Sequence, residues 1–563
     1  MKRARRRTRA TAPWKMPELA SGERVWVLEV PYKAPTPGAK YAADLKAYVF
    51  VGAMLPPDLA GYRSKPYSYA RWIEDELNAE ASPGATAFPK QPRVEQLEAA
   101  EAIATAALSG RRGFWLADDP GCGKTGSAVL AAKAVLKQRG GQNVLITVDR
   151  PSSITIPAWR ESIAAFGGDG GYRWLILPPD QLKKLLGPNG RPKYHFDVVI
   201  NDEAQLFRHL SAQRTTYMRR VNKLTTVPAK APFVITLTAT PGHHPGEYTY
   251  LSSLLAQVFD EPPTEWADLG RKLVTLDFPL EPGWDKGTWT WTAEAKQSPR
   301  LQSASVTQVK DWLTECDPPV MLHRDAPWGP APVEGLPVEF TLEQWAAYNK
   351  EWGDFQREMR LARTGDNKAR GRAALLRFRQ KASYLRAAQT AELVSATVER
   401  GYQVLVAVEL VTTAADPVAT LLEQQGIGVS RIFGTGDLER ERLLFQRGEN
   451  RVVVFNTASA INLQAGELMA DGTRASTAKR IGYFHQPRYS GIHARQTIGR
   501  AHRDYQTCPW SLLYAVGTVE EAAAKTMVDR LLVTSASVAG DVTALRDIAA
   551  LFNADWLPED VFD

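Results

Sequence analysis

Ala117-Asp118-Asp119-Pro120-Gly121-Cys122-Gly123-Lys124-Thr125 follows the apolar run Phe114 to Ala117 and precedes a stretch in which Ala128, Ala131, Ala132, Val135 and Leu136 recur at helical spacing until Gly140-Gly141. A strand, a glycine-bearing turn and a helix opening in that order is the context in which backbone amides cradle phosphate and the helix N-terminus favours negative charge. Lys124 is then placed to reach the β and γ phosphates, and the Thr125 hydroxyl to reach Mg²⁺. The strict GxxxxGK[ST] pattern is broken at its first glycine, where Asp118 stands.

Outward from this loop, short β-rich runs alternate with helical periods from Gly113 to Thr240. The expected strands are Phe114 to Ala117, Val144 to Val148, Val198 to Asn201 and Val234 to Leu237. That rhythm predicts a parallel sheet with crossover helices. Asp202-Glu203-Ala204-Gln205 ends the run Val198 to Ile200, where side chains emerge beside the ligand crevice of such a sheet. Asp202 suits Mg²⁺, and Glu203 suits activation of a water that attacks the γ-phosphate. Their position 78 residues beyond Lys124, past another strand and helix, favours this over a solvated acidic loop.

Val404 to Val408, Val452 to Phe455 and Leu512 to Val516 predict a second α/β domain. Within it Gln496-Thr497-Ile498-Gly499-Arg500-Ala501-His502-Arg503 puts two arginines three apart on a helix, so that both face one cleft and stabilise charge on a transferred phosphoryl group. Between the domains, residues 257 to 340 are proline-rich, and residues 266 to 352 hold eight of the sixteen tryptophans, read as an irregular insertion with core-packing indoles. Residues 342 to 400 turn helical and charged.

The whole chain has 563 residues, 44% hydrophobic and 23% charged, which excludes collagen-like, wholly disordered and small disulfide-stapled classes. Six of the seven net positive charges lie in Lys2, Arg3, Arg5, Arg6, Arg7 and Arg9, a basic flexible arm over residues 1–22. Cys122, Cys316 and Cys508 have no metal spacing, and no apolar run is long enough to cross a bilayer. The expected location is the cytoplasm or nucleoid. Residues 23–84 read as a small α+β accessory domain, in which Tyr62, Arg63, Lys65, Tyr67, Tyr69, Arg71 and Trp72 interleave aromatics with charge as a nucleic-acid surface would. A structural core of tyrosines is the alternative.

These motifs, in this order, resemble those of the superfamily-two helicases, and within them the Snf-type DNA translocases, in a compact phage or bacterial form. In the phosphate loop an acidic residue commonly replaces the family's first glycine, so the resemblance implies nucleotide contacts at Asp119, Pro120, Gly121, Cys122, Gly123, Lys124 and Thr125. Arg93 and Gln96 match the upstream element in which a glutamine reads adenine. Pro151, Ser152 and Trp159 resemble the motif that touches the nucleic-acid backbone. Thr238, Thr240, Thr457 and Asn462 match segments that couple hydrolysis to movement. Met321-Leu322-His323-Arg324, Gly434 with Glu441-Arg442, and Gly517 to Glu521 continue the match. Ser459-Ala460, an insertion from Gly466 to Lys479 and the region His485-Gln486-Pro487-Arg488-Tyr489 depart from it.

The resemblance implies two RecA-like lobes at 90–256 and 386–540, an insertion and helical linker at 257–385 and an acidic tail at 541–563. ATP and Mg²⁺ would sit between the lobes, with Lys124, Thr125, Asp202 and Glu203 on one wall and Gln496, Arg500 and Arg503 on the other. It further implies a monomeric, DNA-dependent ATPase, with duplex preferred and single strands as a second substrate, that remodels replication or recombination intermediates. A nucleic-acid-binding scaffold with an ATPase switch and an RNA helicase are the competing readings.

Overall fold

The computed structural model describes residues 24–30, 34–42, 47–67, 90–222, 231–239, 241–259, 268–283, 287–456, 461–469, 472–487, 491–533 and 548–557. The basic arm, the residues Tyr69, Arg71 and Trp72, and most of the acidic tail lie outside them.

Near the N-terminus, β1 (Arg24–Glu29), β2 (Lys40–Ala42), β3 (Ala47–Gly52) and β4 (Arg63–Tyr67) form an antiparallel sheet in the order β2-β3-β1-β4, with the short helix Pro57–Ala60 between β3 and β4. Alternation sends Val25 and Val49 inward, where they share a cluster with Leu145, Leu175 and Val199 of the next domain. The module is thus held to its neighbour by apolar burial.

The first large sheet comprises β5 (Gly113–Leu116), β6 (Asn143–Thr147), β7 (Arg173–Leu177), β8 (Val198–Asp202), β9 (Phe233–Leu237) and, beyond the hairpin β10 (Leu280–Pro282) and β11 (Trp289–Trp291), β12 (Met321–Leu322). Its order is β12-β5-β9-β8-β6-β7, with every pairing parallel. The second sheet comprises β13 (Val333–Val338), β14 (Gln403–Val408), β15 (Val429–Ile432), β16 (Val452–Asn456), β17 (Arg480–Phe484) and β18 (Trp510–Ala515), also all parallel, in the order β13-β18-β17-β14-β16-β15. All residues of β5, β6, β14 and β18 are buried, as expected of strands covered by helices on both faces. The fold is therefore two parallel-sheet α/β lobes with a small accessory sheet.

The segment expected to be an irregular insertion contributes an edge strand to each lobe. Val320, Leu322 and Arg324 accept from the amides of Trp115, Ala117 and Asp119, and a few residues later β13 pairs with β18. Prolines hide these strands in the sequence, and an edge position tolerates them: Pro337 lies within β13. Trp291 is fully buried, and Trp345 and Trp352 pack against the core, the last in tilted and edge-on contact with Phe355, Phe378 and Phe552.

Three helices, Leu342–Thr364, Lys368–Leu385 and Ala387–Glu399, lead into the second lobe. Arg386, fully buried, makes a double hydrogen bond with Glu520, one arm at 2.9 Å, and so pins these helices to the helix Val519–Val533. Removing one partner of such a pair costs about 3–5 kcal/mol. Residues 548–557 pack back onto the same helices through the buried Phe552.

Candidate functional site

The loop after β5 and the one after β8 open at the carboxyl edge of the first sheet, and the turn after the helix Gly491–Ile498 of the second lobe faces them. Gly123 caps the helix Lys124–Arg139 at φ +84°, and Gly121 lies at φ +93°. Both are left-handed conformations that favour glycine. Space enforces the same choice. A Cβ on Gly123 would come within 2.4 Å of the Gln96 amide nitrogen, and one on Gly121 within 2.7 Å of the Trp328 ring and 2.8 Å of the Arg503 Cβ.

Lys124 opens the helix, and its ammonium donates to the carbonyls of Asp118 at 2.6 Å and Asp119 at 3.1 Å. Its charge also acts on Asp202. Cys122 is buried, which pushes its thiol up to about 11 and keeps it protonated. Arg93 donates to the Gly121 carbonyl at 3.1 Å and pairs with Asp504 of the second lobe at 2.7 Å. Gln96 accepts from the Arg93 amide at 3.0 Å and donates to the Gly123 carbonyl at 3.1 Å, so both ends of its side-chain amide are engaged by the chain around the phosphate loop.

At the end of β8, Trp159 donates its indole N–H to Asp202 at 2.9 Å. Burial, with the neighbouring Glu203 charge adding to it, pushes Asp202 up to about 6. Glu203 sits at φ +46°, where the strand gives way to a short helical turn. Its Oε2 accepts from Gln205 at 2.8 Å, and Gln205 in turn accepts from the Thr238 hydroxyl at 2.7 Å. From the other lobe, Gln496 donates to the same Oε2 at 3.2 Å and Arg500 lies 3.8 Å from Oε1. The loop carboxylate is thus gripped from both lobes.

Arg500 and Arg503 do not lie on a helix as expected. The helix ends at Ile498, Gly499 follows, and the arginines occupy the turns beyond, with the Arg500 amide bonded to the Thr497 carbonyl. Gly499 allows a close contact: a Cβ there would approach Pro120 to 2.6 Å. Arg503 is half-buried beside Gly121, and its desolvation there lowers its pKa from the usual arginine value.

Trp159 is buried, which places it at the Asp202 carboxylate rather than on a nucleic-acid surface. Pro151 caps the helix Ser152–Ala165, which Ser152 begins. Asn462 donates to Glu467, a residue of the insertion after it, while the Leu463 amide bonds to the Arg500 carbonyl at 2.8 Å. His485 is fully buried between Ser383 and Thr390, so it packs the second lobe's core. Thr240, Thr457 and the pair Ser459-Ala460 lie outside the described residues, as do Arg488 and Tyr489.

The Thr125 hydroxyl and the Asp202 carboxylate are hard oxygen donors of the kind Mg²⁺ takes, with phosphate oxygens and water to complete its shell. The loop amides and Lys124 suit a triphosphate.

Against known proteins, no family model matches the chain and no curated protein does. Solved structures do. The chain is similar to the Sulfolobus solfataricus SWI2/SNF2 ATPase core, both in complex with dsDNA (16% identity, 83% of this chain and 98% of that one, TM-score 0.30) and as the core domain (16%, 84% and 96%, TM-score 0.32). It is also similar to the Pyrococcus furiosus Hef helicase domain, at 15% identity over 77% of this chain and 97% of that one, with a TM-score of 0.41. These are partial likenesses, and the fold assignment rests on the strand order and pairing of the two sheets.

Four residues of the site were not anticipated. Asp149 follows β6 at the same sheet edge, and burial together with the charge of Glu203 pushes it up to about 7. Its position after a predicted strand was the available signal. Arg324, Trp328 and Asp504 arrive through the interlobe crossover and the arginine turn; Arg324 closes the Met321-Leu322-His323-Arg324 motif, which gave no role at this site, and no local pattern marks the other two.

Proposed function

We propose that the chain is a nucleic-acid-dependent ATPase that couples ATP hydrolysis to movement on DNA, duplex in preference, and so remodels replication or recombination intermediates. The observation that carries this reading is Glu203, which directly follows strand β8 of the phosphate-loop lobe and meets Gln496 and Arg500 of the other lobe. A carboxylate that gains two of its partners only when the lobes meet ties hydrolysis to closure. The reading of the polymer as DNA draws on the motif resemblance.

In this mechanism Lys124 leaves the carbonyls of Asp118 and Asp119 for phosphate oxygens. Mg²⁺, when bound, supplies charge neutralisation at the phosphates, with Thr125 and Asp202 as its protein donors. Glu203, held by Gln205 and Gln496, orients the attacking water and accepts its proton. Arg500 moves from Glu203 towards the charge that develops on the transferred group, and Arg503 fills the space beside Gly121. Opening of the lobes after hydrolysis would shift one lobe along the polymer relative to the other.

The test is steady-state ATP hydrolysis without nucleic acid and with duplex DNA, single-stranded DNA and RNA, using Glu203→Gln as the blank. Duplex-stimulated hydrolysis that drives triplex displacement is the expected result. Hydrolysis indifferent to every nucleic acid would point to an occupancy switch, and preference for RNA to an RNA helicase.

A further inference from the structure

Asp118 occupies the position of the first glycine of the phosphate-loop pattern, and its side chain is fully buried. A carboxylate in such a place costs a great deal unless it is paired. Its partner is Arg324, which lies 206 residues further along the chain. The Arg324 Nε lies 3.2 Å from both carboxylate oxygens and Nη2 closes a second contact on Oδ2, a forked geometry that lysine could not reproduce. The third nitrogen, Nη1, donates to the Glu95 carbonyl at 2.6 Å and lies 3.6 Å from the Glu98 carboxylate. Glu95 and Glu98 belong to the helix Val94–Leu108, which carries Gln96 and starts at Arg93, the two residues that hold the Gly121 and Gly123 carbonyls.

Arg324 therefore ties the loop's buried carboxylate to the helix that supports the loop, and its own backbone adds a further tie. Its carbonyl accepts from the Asp119 amide at 3.0 Å, the Ala326 amide donates to the Asp119 carboxylate at 3.0 Å, and His323 bonds to the Ala117 carbonyl at 2.9 Å. The same crossover then lays Trp328 over Gly121, against Tyr505 of the second lobe at 5.7 Å between ring centroids, before entering the second sheet as β13.

The structure assigns Arg324 the role of a positioning residue that neutralises Asp118 and holds the phosphate loop in register with the crossover to the second lobe. This deepens the ATPase reading above and rests on it for the ligand, not for the geometry. Glycine in place of Asp118 would need no counter-ion. The acidic residue at that position and the arginine of the crossover are thus one device, and each is a liability without the other.

The experiment compares Arg324→Met, Asp118→Gly and the double variant by affinity for a fluorescent ATP analogue and by amide hydrogen exchange over residues 118–124 in nucleotide-free protein. Arg324→Met is expected to weaken binding by at least about tenfold and to speed loop exchange, because one uncompensated buried charge remains. The double variant, with both charges gone, is expected to return both readouts close to wild type. Unchanged loop exchange in Arg324→Met would overturn the assignment, as would a double variant as loose as the single one. Should Arg324→Met fail to fold, a folded double variant with a protected loop supports the pairing, and an unfolded one refutes it. Should wild-type protein bind no nucleotide, the ATPase reading falls while loop exchange still decides the role of Arg324.

Discussion

Replacing Thr238 with valine keeps the volume of a fully buried side chain and deletes one hydroxyl. That hydroxyl donates to Gln205 Oε1 at 2.7 Å, and Gln205 uses its nitrogen to hold Glu203 at 2.8 Å. In Thr238→Val the buried Gln205 oxygen has two outcomes. It stays unsatisfied, at a cost of about 1–3 kcal/mol, or the amide turns to find another donor and releases Glu203. The second outcome relieves the first, so the same 1–3 kcal/mol sets the effect on turnover, a fall in kcat of roughly 5- to 150-fold. Thr238 acts on Glu203 through Gln205, so KM for ATP should hold. Steady-state hydrolysis of wild type, Thr238→Val and Thr238→Ser measures this, with the serine variant expected to keep most of the activity. A valine variant with kcat within about twofold of wild type would show that Glu203 does not depend on the Thr238–Gln205 link, and a rise in KM alone would place Thr238 in ground-state binding.

Arg500→Ala should leave nucleotide affinity nearly unchanged and cut turnover by about 10³-fold, as for an arginine finger, whereas Lys124→Ala should lose binding itself; equilibrium binding beside single-turnover hydrolysis separates the two. Gly121→Ala adds a Cβ within 2.8 Å of both Trp328 and Arg503 and forces φ +93° on alanine, so cleft closure should suffer, with turnover down on the order of 10²-fold and the fold retained by circular dichroism. For Asp149 the folded pKa of about 7 lies above the unfolded carboxylate value, so between about pH 4 and 7 the native state binds more protons than the unfolded one and stability falls as pH rises. Asp149→Asn removes that penalty. Its melting temperature should exceed wild type at pH 8 and vary less from pH 5 to 8, and a parallel pH dependence in both proteins would contradict the assignment.

Much of the first lobe was legible because its signals are local. The expected strands at Phe114, Val144, Val198 and Val234 correspond to β5, β6, β8 and β9, and the helix expected after Thr125 runs to Arg139 before Gly140. Those at Val404, Val452 and Leu512 correspond to β14, β16 and β18. Five strands of the two sheets were not foreseen: β7 and β15 are short runs that the expected rhythm passed over, and the other three carry weaker marks. β12 is two residues long, β13 contains Pro337 and alternates poorly, and β17 opens on Arg480, whose charge is buried against Leu463 and Gln446. The arginine segment differs from the expected helix because the backbone tightens after Ile498, where the amides of Arg500 and Ala501 bond to the carbonyls three residues back.

The sequence by itself determined where the side chains proposed for the chemistry stand, since Lys124, Thr125, Asp202 and Glu203 lie at fixed offsets from their own strands and glycines. Their neighbours were decided by tertiary structure alone. Arg324 reaches Asp118, Trp328 covers Gly121 and Asp504 meets Arg93 only because the crossover and the second sheet fold back onto the first. Those contacts join residues hundreds of positions apart, where chain spacing carries no information and burial, charge pairing and available volume make the choice.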